Sequence, residues 1–490
     1  IRRYNAVKKI IGVAMMKGLE HLIIPAFDLT ESSTIVDAIK CLENNHWMII
    51  SVVNEAGELC GVASSGDLRK AILNGQPADT ALSEVMNKQP VFIKKKEISN
   101  HKNLGKILDS IRKKYGQLEL MYAMVPVVDD ELKLIGMINL DSLTYFKADD
   151  SKPSRKTALI VGGAGYIGSV LTRMLIENGW AVRVLDNLLY YPHSLKSLEN
   201  DEHFKFIHGD AANIDDIVCA SEGIDAVVYL AELVGDPACS MAPQAALKTN
   251  YLSVNSMAHL CSHLNINRFV YTSSCSVYGA SKDPDELLTE QSPLNPVSLY
   301  ARIKTMVEQS ILSVCHLPNP LFAPTILRLG TVFGHSYRPR FDLVVNVFAK
   351  NSIQKGSIDI FGGNQWRPNV HVSDVANAIQ VVLNAPIEKV RAQVFNVGSS
   401  EMNHTISDLA DIAQKVFPGI KLIKRTESVD ERNYRVKFDK IESTLGYRAK
   451  VSVEDGMLEL KKAFENKEFD EVEDNPHYSN LLKMQELQLD

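Results

Sequence analysis

The sequence predicts an α/β chain built on a doubly wound parallel sheet, and three observations carry that prediction. The first is Thr157-Ala-Leu-Ile-Val161, an apolar run followed by Gly162, Gly165 and Gly168 and then by apolar-periodic residues to Glu177. A buried strand, a glycine turn and a helix N-terminus make an anion site, because free N–H groups and the helix dipole face the turn. Missing side chains let the backbone approach a pyrophosphate. The second is Asp186, which ends the next strand pattern (180–186), 18 residues past Gly168. A carboxylate there suits a ribose and repels a 2′-phosphate, so the cofactor expected is NAD rather than NADP. The third is the alternation that follows. Strand patterns at 204–208, 226–231 and 268–273 are separated by helical ones, such as 246–263. Asp210, Ala231 and Ser273-Ser274 fall at strand carboxyl ends, where ligands of such sheets bind.

Composition bounds the rest. A chain of 490 residues exceeds one ordinary core, so two or three domains are expected. Hydrophobic content of 45% and charge of 23% are those of a soluble globular protein. A net charge of −6 implies no general affinity for nucleic acid. No apolar run reaches membrane-spanning length and no signal-peptide pattern opens the chain, so no membrane span and a cytoplasmic location are expected. Seven cysteines, at 41, 60, 219, 239, 261, 275 and 315, include no C-x-x-C pair. They read as reduced thiols, and no metal is expected.

Residues 1–20 are a basic, mixed segment with helical character. Residues 21–147 read as two similar halves of α+β type. The first has a helix at 33–43, strands at 47–53 and 59–63 around the turn Asn54-Glu-Ala-Gly57, and a helix at 67–73. The second has a helix at 104–111 and strands at 124–128 and 132–138 around Asp129-Asp-Glu131. That spacing signals an internal duplication. With Gly61-Val-Ala-Ser-Ser-Gly-Asp67 and Val85-Met-Asn-Lys-Gln-Pro90, the stretch resembles a pair of CBS domains. The resemblance implies that Ser64 and Asp67 hold the ribose and phosphate of an adenine nucleotide. The plainer alternative is that Asp67 caps its helix. The second copy, Gly136-Met-Ile-Asn-Leu-Asp141, is a residue shorter and lacks the hydroxyl. A polar, proline-containing linker at 148–156 follows.

Tyr300-Ala-Arg-Ile-Lys304 places a phenol and an ammonium one turn apart on a helix face. A phenol with a pKa near ~10 is a poor base at neutral pH. A neighbouring ammonium and a positive nicotinamide ring favour the phenolate and make a usable base. Ser274, 26 residues earlier at a strand end, is placed to hydrogen-bond the same substrate oxygen.

At these residues the chain resembles an extended short-chain dehydrogenase/reductase of the nucleotide-sugar epimerase and dehydratase group. The match also includes Asp186-Asn187, Gly209-Asp210, Leu230-Ala231, Asn250, Val277-Tyr-Gly279, Gln365-Trp-Arg-Pro-Asn-Val-His-Val-Ser-Asp374, Asn396-Val-Gly398 and Leu445-Gly446. The resemblance implies a Rossmann domain at 157–334 and a mainly substrate-binding domain at 335–466; by its acidic, polar composition the rest, 467–490, reads as a polar C-terminal tail. It implies NAD held by Gly162, Gly165, Tyr166, Ile167, Gly168, Asp186, Asn187, Asp210, Ala211, Leu230, Ala231, Asn250, Tyr300 and Lys304. The catalytic residues implied are Ser274, Tyr300 and Lys304. A nucleotide-diphosphate sugar would meet Ser274, Ser276, Thr331 and Arg367, with Arg432 or Arg435 as a second contact.

Three departures refine this. Cys275 and Ser276 stand where 4,6-dehydratases of the group carry carboxylates, which counts against dehydration. Thr331 replaces a substrate-contacting Asn. Glu232 replaces a small residue near the nicotinamide pocket, as a substrate contact, an extra proton carrier or a rim residue in water. The resulting expectation is an NAD-dependent nucleotide-sugar epimerase acting at C4, regulated by an adenine nucleotide at the CBS pair, as a homodimer or homotetramer. A 4,6-dehydratase, a ketosugar reductase, a member using Cys275 or Ser276 on a neighbouring carbon, and a non-catalytic nucleotide sensor are the alternatives.

Overall fold

The computed structural model describes residues 23–43, 49–98, 124–139, 155–281, 286–315, 322–425, 432–469 and 472–489. The chain divides into two compact units, Ile1–Ser154 and Arg155–Asp490, so the boundary falls inside the expected linker. The 1–20 segment and the helix expected at 104–111 lie outside the described residues.

In the first unit, two three-stranded sheets share one design. β1 (Asp28–Thr30) runs parallel to β2 (Ile49–Val53), which pairs antiparallel with β3 (Leu59–Ser64). β4 (Ile93–Lys94), β5 (Met124–Val128) and β6 (Leu134–Asn139) repeat that order and those directions. Both hairpins shift register at the same place, between Val52 and Val53 and between Val127 and Val128. Both turns open on a side-chain oxygen that accepts two backbone N–H groups. Asn54 Oδ1 accepts from Ala56 and Glu58 at 3.0 and 2.9 Å; Asp129 Oδ1 accepts from Glu131 and Lys133 at 3.0 and 2.8 Å. Both then need a left-handed residue, Gly57 at φ +80° and Leu132 at φ +66°. The turns bond each other, Leu59 N–H to the Leu132 carbonyl and Leu134 N–H to the Gly57 carbonyl. Duplication is therefore legible in backbone detail as well as in spacing. α1 (Ile35–Glu43) and α2 (Ser65–Leu73) cover the first sheet, burying Ile35, Ala38, Ile50, Val52, Ala63 and Leu68.

The second unit is organised by a seven-stranded, all-parallel sheet. Its strands are β7 (Thr157–Val161), β8 (Ala181–Asp186), β9 (Phe204–His208), β10 (Ala226–Tyr229), β11 (Arg268–Ser274), β12 (Ala323–Leu329) and β13 (Gln393–Val397). In space they run β13-β12-β11-β10-β7-β8-β9, with the crevice where the order reverses beside β7. Ala158 and Ile160 of β7 face one core, with Leu171 and Leu175 of α3 (Tyr166–Glu177). Leu159 and Val161 face the other, with Val254 and Met257 of α4 (Ser253–His263) and Ile303 and Val307 of α5 (Leu299–Val314). Two covered faces explain why these strands are apolar throughout rather than alternating.

Three expectations about this unit change. The helix expected at 246–263 is broken: Pro243–Leu247 leads into a π-helical turn, Lys248–Leu252, before α4. The substrate-side segment is not contiguous, because α6 (Val372–Asn384) and β13 return to the large sheet and its core. The last residues are not a loose polar tail. Tyr478 sits in a third core with Phe341, Leu409 and Met457, and Asn480 and Met484 of the helix Asn480–Leu489 are buried. Few apolar residues are needed to dock so short a helix, so composition alone conceals it.

A side chain in the left-handed region costs roughly 1–2 kcal/mol relative to glycine. Leu132→Gly should therefore raise, and Gly57→Leu lower, the urea stability of the first unit by about 1 kcal/mol each. Unchanged midpoints in both variants would show that the turns carry no such strain.

Candidate functional site

Two adjoining cavities, of about 730 and 150 Å³, open beside the glycine turn of β7. Gly162, Gly165, Tyr190, Leu230 and Glu232 line both, so together they form one elongated site. The smaller cavity adds Asp186, Asn187, Asp210, Ala211 and Ala231. The larger adds Tyr166, Ile167, Gly168, Ser274, Ser276, Tyr300, Lys304, Thr331, Arg367 and Arg432.

The glycine turn explains why the halves can meet. A Cβ at Gly162 (φ +85°) would stand 2.6 Å from the Ala231 nitrogen, and one at Gly168 would stand 2.4 Å from the Gly162 oxygen. Gly165, the N-cap of α3, differs: its Cβ would meet only the Gly162 oxygen, at 3.2 Å, and otherwise enter the cavity. Asp186 Oδ2 accepts from Ala164 N–H at 2.9 Å and Oδ1 from Leu188 N–H at 2.8 Å. Burial raises its pKa, against the pull of those two donors. A side-chain-free cradle, a helix N-terminus and a held carboxylate fit a dinucleotide.

Asn250 departs from expectation. It lines neither cavity. Its Oδ1 accepts from Leu233 N–H and its Nδ2 donates to the Leu233 carbonyl, both at 2.8 Å. It positions the loop after β10 rather than touching a ligand. The extra residue in the π turn rotates it there, a displacement that helical periodicity does not reveal.

Ser298 caps α5, its Oγ accepting from Ala301 N–H at 3.2 Å, and so fixes where Tyr300 and Lys304 begin. Lys304 Nζ lies 5.5 Å from the Tyr300 ring centre and 4.6 Å from that of Tyr271. It donates to the Thr272 carbonyl and to Glu232, whose other oxygen accepts from the Tyr271 hydroxyl at 2.8 Å. Glu232 is thus a buried ion-pair partner, not a rim residue in water. Burial raises its pKa and Lys304 opposes the rise. Burial, and then the Glu232 charge, hold the Tyr300 phenol well above its usual value.

Ser274 Oγ accepts from Ser276 N–H at 3.1 Å. Ser276 lines the larger cavity, and its buried Oγ has no hydrogen-bond partner among the described residues. Cys275 points the other way, into a cluster with Val277, Tyr278 and Val436, its Sγ donating to the Arg328 carbonyl. Burial pushes its thiol pKa up, so it is no proton carrier for this cavity. Behind Ser274, Arg328 bonds Glu308 at 2.7 Å and Tyr278 at 3.0 Å, and Tyr278 bonds Asn396 at 2.7 Å. This network pins the ends of β11, β12 and β13.

Arg367 is buried, and donates to the Trp366 and Arg432 carbonyls. Arg432 pairs with Asp236 at 3.0 Å. Arg435 stacks on Trp366 instead of lining the cavity. Sequence reasoning assigned no site role to Tyr190, Arg338, Arg340, Asp342 or Asn480, all of which line the larger cavity. The charge density of 338–342 within an apolar stretch was the available signal.

In the first unit, Ser64 and Asp67 form a capping box. Ser64 Oγ accepts from Asp67 N–H at 3.1 Å, and Asp67 Oδ2 accepts from Ser64 N–H at 2.9 Å and O–H at 2.6 Å. The helix-capping alternative accounts for both residues.

The family model described as the NAD dependent epimerase/dehydratase family matches residues 158–398, and that of the CBS domain matches 25–74. An uncharacterized protein of Methanocaldococcus jannaschii, MJ1055, is 30% identical over 64% of this chain and 98% of its own length. A UDP-glucose 4-epimerase of Lactobacillus helveticus is 29% identical over 53% of this chain and 81% of its own. A dTDP-glucose 4,6-dehydratase of Streptomyces niveus is 25% identical over 61% and 90%. Among solved structures, the UDP-glucose 4-epimerase of Thermotoga maritima superposes with a TM-score of 0.58 at 23% identity, over 64% of this chain and all of the other. Among the described residues, no helix is long and apolar enough to cross a membrane and no side-chain cluster could hold a metal ion.

Asn250→Ala strands the Leu233 N–H and leaves its carbonyl only the Cys239 thiol, at 3.2 Å, so it should cost roughly 1–3 kcal/mol of stability in the ligand-free protein. A residue that only contacted a ligand would leave ligand-free stability unchanged, and thermal melts separate the two.

Proposed function

The chain belongs to the NAD dependent epimerase/dehydratase family, with NAD as cofactor, and on that premise we propose that it is a nucleotide-sugar epimerase acting at C4. One observation carries the choice within the family. Ser274, Tyr300 and Lys304 share one cavity, while no carboxylate follows Ser274 directly and, among the described residues, the carboxylates lining the cavity are ion-paired. Glu232 pairs with Lys304, Asp236 with Arg432, Asp342 with Arg340 and Asp359 with Arg425. Dehydration needs a group to move the C5 proton and expel a hydroxyl, and among the described residues this cavity offers no unpaired acid for it.

In this reading Asp186 and Asn187 hold the adenosine ribose, Asp210 and Ala211 lie along the adenine, and the turn from Gly162 to Gly168 takes the pyrophosphate. Bound there, NAD supplies reversible hydride acceptance at the sugar carbon. Tyr300 takes the proton from the C4 hydroxyl, and Ser274 donates to the developing ketone. Lys304 offsets charge on Tyr300 and touches the nicotinamide ribose. Ser276 takes a sugar hydroxyl, which satisfies its orphaned Oγ. Arg367 and Arg432 face the substrate pyrophosphate and Thr331 the sugar. The 4-keto sugar turns over in the cavity, presents its other face, and regains its proton from Tyr300.

The paired helix–sheet halves of the first unit are proposed as a scaffold or regulatory module. Because Ser64 and Asp67 satisfy each other, adenine nucleotide there would have to displace their capping bonds. Activity and oligomeric state measured with and without ATP, ADP and AMP decide between those roles.

Proton NMR in D₂O on a panel of UDP-, dTDP-, GDP- and CDP-sugars tests the reading. A new anomeric signal without deuterium uptake is expected. Deuterium at C5 with a new methyl signal would instead mean dehydration. The Glu232 charge raises the Tyr300 pKa, so its removal must lower it. Glu232→Gln should therefore move the acid limb of the kcat/KM profile to lower pH. A limb that stays put or moves up would show that Glu232 does not tune the base.

A further inference from the structure

We propose that Arg338, held by the C-terminal segment through Asn480, is a pyrophosphate-binding residue that clamps the dinucleotide where the two cavities meet. The proposal rests on the cofactor assignment and not on the reaction at the sugar.

Arg338 is only 2% exposed, yet it lines the larger cavity. Its Nη2 donates to Asn480 Oδ1 at 2.7 Å, and its guanidinium lies 4.3 Å from the Tyr190 ring centre. Its Nε has no hydrogen-bond partner among the described residues. The adjacent carboxylate, Asp342, is taken bidentately by Arg340 at 2.9 and 3.0 Å. Arg340 thus takes both oxygens of Asp342, and Arg338 feels Asp342 and Asp186 only through their charge. Burial and the like charge of Arg340 push the Arg338 pKa down to about 10, which leaves it protonated at neutral pH. A buried cation beside another cation, with a donor left unused, favours an anion opposite it.

Position identifies that anion. Tyr190, on which Arg338 stacks, lines both cavities, as does Gly165 at the N-terminus of α3. A dinucleotide reaching from Asp186 to Tyr300 crosses this junction with its pyrophosphate. Helix N–H groups serve one side of it, and Arg338 offers a charged fork on the other. Asn480 fixes the fork. Its N–H donates to Asp342 at 2.9 Å and its Nδ2 to the Val234 carbonyl at 3.2 Å. His477 bonds the Tyr190 carbonyl, so the C-terminal segment ties together the walls on both sides of the junction.

The test is calorimetric titration of the full chain, stripped of bound nucleotide, with NAD and separately with UDP. Arg338→Met is expected to weaken NAD by about 10- to 100-fold, the worth of a charged hydrogen bond, and to leave UDP within twofold. Arg338→Lys, which keeps the charge without the fork, should fall between. Unchanged NAD affinity overturns the proposal. Weakened UDP with unchanged NAD also overturns it and hands Arg338 to the sugar nucleotide. Equal loss for both ligands overturns it as a general disturbance. If Arg338→Met does not fold, Asn480→Ala decides: a three- to tenfold loss of NAD alone supports the clamp, and no loss refutes it. NAD binding by a wild-type chain that turns over no sugar would sink the epimerase reading and leave this one standing.

Discussion

Backbone approaching backbone at the glycine turn is the constraint on which the second unit depends. Gly162 lies against Ala231, Gly168 lies against Gly162 and Gly163, and Gly163 lies against Val184. Cβ atoms at these three positions would overlap neighbours at 2.4–2.6 Å. The absence of those atoms lets the end of β7, the start of α3 and the loop after β10 converge. That convergence joins the two cavities, aims the α3 N-terminus between them and brings Glu232 beside Lys304. The Leu233 bonds of Asn250 hold the third partner in place from behind.

Charge is the second organising element. Lys304–Glu232, Arg340–Asp342 and Arg328–Glu308 are buried ion pairs around one cavity. Desolvating such groups is costly, and pairing with well-formed hydrogen bonds offsets that cost without much surplus. Their worth lies in placement: Arg328–Glu308 holds the strand ends behind Ser274, and Arg340–Asp342 anchors the C-terminal segment. Lys304–Glu232 has a chemical consequence, because the carboxylate cancels the ammonium that would favour the Tyr300 phenolate. In the proposed reading, the balance of charge at Tyr300 would be completed only by a cationic ring alongside.

The Methanocaldococcus jannaschii relative and the Thermotoga maritima structure each span 64% of this chain. The first unit is a duplication down to its bulges and side-chain-capped turns, and the CBS family model matches residues 25–74, within its first copy. Leu132 shows how a copy drifts. It adopts the left-handed backbone that Gly57 adopts in the first copy, because hydrogen bonds on both sides over-determine the turn.

Local order was legible from the sequence alone: the strand–glycine–helix unit, the alternation that makes a parallel sheet, Asp186 at a strand end, Tyr300 and Lys304 one turn apart. Those features follow from period and spacing, which the chain carries residue by residue. Most of the expected site residues do line the two cavities. Tertiary structure decided the rest. It turned Asn250 to the Leu233 backbone outside both cavities, buried Cys275 behind the sheet, closed Ser64 and Asp67 on each other and made Glu232 an ion-pair partner. It also brought Arg338 and Asn480, 142 residues apart, into one cavity wall. Burial and pairing are properties of what surrounds a side chain, and for a buried charge the partner comes from elsewhere in the chain. No local pattern specifies that partner, which is why the chemistry of the wall became visible only in the fold.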